Sequence, residues 1–239
     1  KALAVEYAKQ VIAASEYFTL YKSQTASSYN SIRYAEQIFG ITVNEFSNLL
    51  ISNYMDMENT NTQQHFYLDG DKFNAFYETA DAGNTDWRRI AEMFEVVDGG
   101  NQTNVFCRKY NQKPLNSGYT YSGANAVPLI RLPEMYYILA EVNYSKDKEK
   151  ALDYLNAVRG SRGLADIEVS LVDSRDKFMK EMTRERMREF YGEGQMFGFY
   201  KCHNLGFRDF QDKVDIVPSK DIFVLPWPKS EQEYGVTNQ

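Results

Sequence analysis

Histidine, cysteine and tryptophan are scarce in this chain: each occurs twice in 239 residues. His65 and His203 lie far apart and Cys202 abuts His203, a spacing that does not suit a structural zinc site. Two cysteines, Cys107 and Cys202, cannot build a disulfide framework; one bridge and two free thiols both stay open. Positive charge is not in excess either. The 27 basic and 33 acidic side chains leave a formal charge of −6, which argues against a phosphate-rich nucleic-acid partner. No run of about 18 apolar residues exists, which excludes a membrane-spanning helix. The serine-hydrolase elbow and the glycine signatures of nucleotide sites are missing, and Gly99-Gly100 reads as a tight turn. Asp56, Asp69, Asp71, Asp81 and Asp86 do not follow the spacing of a calcium loop. No metal and no cofactor is therefore expected. The opening KALAVEYAKQVIAAS lacks the apolar core and cleavage site of an export signal, and reads as a helix from residue 1.

What is present suits a folded domain: 43% hydrophobic and 25% charged residues. A chain of this length buries about 70% of its extended surface without needing a metal or disulfide. Ala4, Ala8, Val11, Ile12 and Ser15 recur at helical spacing. Leu132 to Val142 is the clearest helix, with Pro133 at a first-turn position where its missing N–H costs nothing. After a break at 145–147, Ala151, Leu152, Leu155 and Val158 form a second stripe, with Gly160 and Gly163 at its exit. Together they predict an antiparallel helical hairpin. A third helix runs from about Ser174 to Tyr191 and stops at Gly192 and Gly194. Its run Glu181–Glu189 alternates arginine and glutamate. That pattern fits either a solvated face of weak pairs or a buried network that locks the helix to its neighbours.

Residues 21–127 read differently, as a loop-rich insert in polar and aromatic residues. Helices at Ser31–Phe39 and Asp71–Glu78 and a strand at Asn104–Tyr110 are plausible, with little sheet overall. Aromatic faces stack on sugar rings, and neighbouring amides and carboxylates bond to sugar hydroxyls. Trp87, Tyr67, Tyr119 and Tyr121, with Asn84 and Asp86 as polar company, are the candidate ligand-binding residues. In the tail, Pro226 and Pro228 fix an extended path around Trp227, expected to pin a C-terminal strap to the helical body.

Several ordered segments resemble the SusD/RagB family of outer-membrane glycan-binding lipoproteins. They are Ile130-Arg131-Leu132-Pro133-Glu134-Met135-Tyr136 with Ala140-Glu141, then Leu155-Asn156-Ala157-Val158-Arg159 and Gly163-Leu164. Glu185-Arg186-Met187-Arg188-Glu189-Phe190, Glu193-Gly194 and Phe223-Val224-Leu225-Pro226-Trp227-Pro228 follow in order. The resemblance implies a mainly α fold of tetratricopeptide-like helical hairpins with a large irregular loop-rich insert. Residues 1–20 and 128–239 would be scaffold and strap, in one N-terminally truncated domain. It also implies a non-enzymatic surface protein that binds an oligosaccharide or other nutrient and serves a TonB-dependent, SusC-like transporter. Its membrane attachment would be a lipid anchor absent from this chain. Arg131, Glu134, Glu141, Asn156, Arg159, Glu185, Arg186 and Glu189 are expected as structural network residues. Two other classes stay open: a helical-repeat module that docks protein, and a glycoside hydrolase, which needs two carboxylates about 5–10 Å apart across a cleft.

Overall fold

A computed structural model of the chain describes residues 2–22, 33–46, 49, 67–77, 86–89, 93–98, 103–107, 109–110, 126–208 and 214–229. Two compact units divide it, Lys1–Glu193 and Gly194–Gln239. The fold is mainly helical, with paired helices and a strand-bearing insert.

In the first unit, α1 (Ala2–Ala13) packs on α3 (Leu132–Tyr144), which pairs along its length with α4 (Lys148–Ser161). The small Ala8 is fully buried, as close helix approach requires. Leu132, Tyr137, Leu139, Ala140 and Tyr144 of α3 and Ala151, Leu152, Leu155 and Val158 of α4 are buried at helical spacing. Pro133 opens α3, and the Asp147 carboxylate accepts the Lys150 amide at 3.0 Å to start α4. Gly163, at φ 81°, supplies the left-handed residue after α4. Ser174 caps α5 (Arg175–Glu189) in the same way. The α5 side chain of Phe178 stacks on Tyr144 at 4.1 Å and 15°, and the Tyr144 hydroxyl donates to the Val172 carbonyl at 2.6 Å. Gly192, at φ 75°, turns the chain after α5.

The insert holds more strand than expected. β1 (Gln37–Thr42) pairs antiparallel with β5 (Ala126–Arg131). β2 (Tyr67–Asp69), β4 (Thr103–Cys107) and β3 (Phe94–Asp98) form an antiparallel sheet in the order β2-β4-β3. Helix α2 (Gly70–Phe76) follows β2, capped by Asp69 through the Asp71 amide at 2.9 Å. Phe73 and Tyr77 pack with Met93, Phe94 and Val105 into a ring-rich core under this sheet. The expected helix at Ser31–Phe39 is corrected: its described part is a 3-10 turn, Tyr34–Glu36, running into β1. Two causes are visible. Arg33 is held left-handed at φ 53°, and β-branched Ile38, Ile41 and Thr42 favour the pleated pairing with β5, while Gly40 lets the Val127 carbonyl approach closely.

The second unit contains α6 (Gln195–His203), a minimal hairpin of β6 (Phe207–Arg208) with β7 (Asp215–Ile216), and the short α7 (Lys220–Phe223). Gly206 is obligatory there, because a Cβ would sit 2.8 Å from the Ile216 carbonyl oxygen. Phe197 meets Phe223 edge-on at 5.9 Å, and Tyr200 meets Phe207 at 5.1 Å. Trp227 has 76% of its surface exposed.

Candidate functional site

The most organised polar feature lies at the C-terminal half of α5. Glu189 is fully buried and receives four guanidinium groups: Arg131 at 2.7 Å, Arg162 at 2.9 Å, Arg33 at 3.1 Å and Arg88 at 3.4 Å. Glu36 takes Arg131 and Arg162, both at 2.8 Å, and accepts the Tyr21 amide at 2.8 Å. One turn before Glu189, Glu185 takes Arg159 at 2.9 Å and Arg88 at 3.0 Å. One turn after it, Glu193 takes Lys109 at 2.5 Å and Arg131 at 2.7 Å. The Lys109 ammonium also donates to the Tyr191 carbonyl at 2.9 Å. Planar forks that can satisfy two oxygens at once suit such a crowded interior.

The charges respond as the geometry dictates. Burial works to raise the Glu189 carboxyl, but Arg162, Arg131 and Arg33 hold it well below the ordinary carboxylate range. Asp86 and Glu193 follow the same logic, with Arg88 and Arg131 respectively as the leading charges that overcome burial. Burial lowers the Lys109 ammonium, with Glu193 opposing. Glu134 moves the other way: burial raises its carboxyl against the charges of Arg186 and Arg131.

Of the residues expected in a network, Arg131, Arg159, Glu185 and Glu189 meet in this cluster. Arg186 lies beside it, 5.5 Å above the Tyr137 ring and 5.8 Å from Phe190. Asn156 does a separate job, closing the loop after α4 through both the amide (2.9 Å) and carbonyl (3.1 Å) of Ile167. Glu134 and Glu141 are half-buried on α3. Within the charged run of α5, both sequence alternatives coexist: Glu185, Arg186, Arg188 and Glu189 are buried, while Glu181 and Arg184 form a partly exposed pair at 2.8 Å.

Sequence reasoning missed Arg33, Glu36, Arg88, Lys109 and Arg162. Their partners lie up to 156 positions away, beyond any periodic signal. The one local hint is the crowding of Asp86, Arg88 and Arg89 around a turn.

Among the candidate ligand residues, Tyr67 lies on β2 with 46% of its surface exposed and its ring 5.8 Å from Phe106. It shares a sheet face with Phe106 and Glu95, its partners across β4 and β3. That face is opposite the one that carries Val105 and Phe94 into the core. Trp87 is partly buried in a 3-10 turn, Trp87–Arg89, and its amide donates to the Arg162 carbonyl at 2.8 Å. Asp86 is placed differently from the ligand-facing position expected of it. Its carboxylate is buried and bound by Arg88 at 2.7 Å, so its lone pairs are spent inside the protein. Tyr119, Tyr121 and Asn84 lie outside the described residues. Among the described residues, no three histidine, cysteine or acidic side chains group as a metal site would require, and no helix is long and apolar enough to cross a membrane.

Comparison with solved structures finds the same fold at low identity. A SusD superfamily protein from Bacteroides thetaiotaomicron VPI-5482 superposes with a TM-score of 0.69 at 18% identity, covering 97% of this chain and 54% of that one. A SusD-like carbohydrate binding protein from Bacteroides vulgatus ATCC 8482 gives 0.65 at 17% identity, covering 96% and 53%. The chain thus spans about half the length of these relatives. Among curated proteins, no sequence matches it significantly. The model of the SusD family matches residues 28–198, well over half of the sequence, and spans the hairpin, α5 and most of the insert. By that match the chain belongs to the SusD family.

Proposed function

We propose that this chain forms part of a non-catalytic cell-surface protein that binds a glycan or similar nutrient. The cargo would pass to a TonB-dependent, SusC-like transporter in the outer membrane, with a lipid anchor holding the full-length protein there. The observation that carries this is family membership over residues 28–198. Geometry adds a rationale: a rigid helical scaffold with a buried ionic fastening carries an insert that presents Tyr67 to solvent. An exposed ring of this kind can stack on the apolar face of a sugar, and Trp87 is the second candidate. Tyr119, Tyr121 and Asn84 remain candidates from sequence alone.

Three carboxylates of the cluster are unsuited to serve as the acid of a glycoside hydrolase. Glycoside hydrolysis needs one carboxylic acid held protonated beside the scissile bond. Asp86, Glu189 and Glu193 are held in the opposite direction and are bound by arginine or lysine.

A glycan array on the full-length product, followed by calorimetry with Tyr67→Ala and Trp87→Ala, tests the proposal. Loss of affinity in either variant supports it. A full-length product that binds no glycan, or both variants binding like wild type, removes this surface from consideration.

Protein docking has one observation in its favour. The β1–β5 ribbon exposes Phe39 (54%), Ile41 (44%) and Ile130 (37%), and Phe39 and Ile130 sit opposite each other in the ladder. Under this second function, Phe39→Ser with Ile41→Ser would lower co-purification with the transporter while glycan affinity stays constant.

A further inference from the structure

A single 3-10 turn has no stability of its own, so the direction in which Trp87 points must be imposed from outside it. The buried side chain that binds the turn on two sides is Arg88. Its Nε donates to Asp86 Oδ1 at 2.9 Å and its Nη2 to Asp86 Oδ2 at 2.7 Å, while its backbone amide donates to the same carboxylate at 3.0 Å. Its Nη1 then reaches Glu185 at 3.0 Å and Glu189 at 3.4 Å on α5. Arg88 has no exposed surface, so it cannot itself meet a ligand. Side chains on a 3-10 turn diverge by a third of a revolution per residue, so sinking Arg88 swings its neighbour Trp87 away from the cluster. The Trp87 amide is fixed separately, to the Arg162 carbonyl at 2.8 Å, and Arg162 is itself bound to Glu189. On the far side, Arg89 lies 5.8 Å over the Phe73 ring and donates to Asn74 at 3.4 Å. That ties the turn to α2, the helix that directly follows the strand carrying Tyr67.

We propose that Arg88 is a positioning residue: its buried guanidinium, clamped between Asp86 and the two α5 glutamates, sets how Trp87 is presented to a ligand. The inference rests on the proposed binding role of Trp87 only for its consequence, not for the placement itself.

Trp87 and Trp227 are the two tryptophans, so Trp227→Phe leaves Trp87 as the single reporter. In that background Arg88→Lys keeps the buried charge but loses the fork. The full chain is examined by indole emission, iodide quenching, circular dichroism and retention on a panel of neutral polysaccharides cast in native gels. The expected result is native dichroism, a red-shifted and more readily quenched Trp87, and retention weakened about tenfold, or about 1.4 kcal/mol. Unchanged emission and quenching in a folded Arg88→Lys protein overturns the proposal. Where Arg88→Lys does not fold, Asp86→Asn removes the charge of the clamp while leaving Arg88 on its glutamates, and the same two outcomes decide. Trp87→Ala keeps the two ideas apart. If it retains full polysaccharide binding while Arg88→Lys still alters the indole, the ligand role of Trp87 falls and the positioning by Arg88 stands.

Discussion

Glu189 gathers four arginines onto one carboxylate, and its consequence at the scale of single residues is unequal tolerance to substitution along one helix. Glu189→Gln keeps the shape but removes the charge on which those guanidiniums converge. Breaking a buried pair by removing one partner costs about 3–5 kcal/mol, because the remaining charges stay in low dielectric uncompensated. Glu181→Gln, two turns earlier, acts on a pair that solvent reaches, and such pairs contribute about 1 kcal/mol or less. Urea unfolding of the two variants should therefore separate them widely; equal losses would show that the cluster is not a structural keystone. Arg186→Ala acts through packing. Its guanidinium over Tyr137 and Phe190 loses contacts worth about 2 kcal/mol in a dry setting, and polysaccharide retention should stay at wild-type level. A melt identical to wild type would contradict the first half of that expectation.

Elements differ in how openly their sequences declare them. α3, α4 and α5 are long enough to repeat a stripe three or four times, and each begins with a recognisable device: Pro133, Asp147 or Ser174. Hence Ser174→Ala should cost about 1 kcal/mol in chemical denaturation, the value of a lost N-cap, while Ser145→Ala at the exposed exit of α3 should be close to neutral. The strands span two to six residues, too few for alternation to stand out from chance. β5 was hidden further by Pro128 and by running straight into Leu132 of α3. The site divides along the same line. Glu185 and Glu189 sit in α5 and were legible as charges at helical spacing, while Arg131, at the edge of α3, was expected only from the family resemblance. Arg33, Glu36, Arg88 and Lys109 sit in short insert segments, where only the folded chain brings Arg33, Arg88 and Lys109 to α5 and Glu36 to Arg131. Asp86 shows the limit most plainly: beside Trp87 it looks like a sugar ligand, but the arginine two residues on claims it.

At the scale of the whole first unit, the insert is fastened to the scaffold by charge as well as by packing, and that makes stability depend on acid in a defined direction. Asp86, Glu189 and Glu193 have native values below the usual carboxylate range. In the unfolded chain the same groups titrate near pH 4. Groups depressed in this way add stability that is fully present above the unfolded value and is lost as pH falls through the native values. Once they protonate, Arg33 and Lys109 lose the carboxylates that bind them, and Arg88, Arg131 and Arg162 are left sharing Glu185 and Glu36. Unfolding free energy should therefore hold nearly level from neutral pH down to about pH 5 and fall steeply below about pH 4. Glu189→Gln, already weaker at neutral pH, has one fewer linked proton and should show a shallower fall. Urea titrations of both proteins across that range read the slopes directly. Parallel slopes would mean that acid unfolds the protein through groups outside the cluster, and that charge is not what holds the insert to α5.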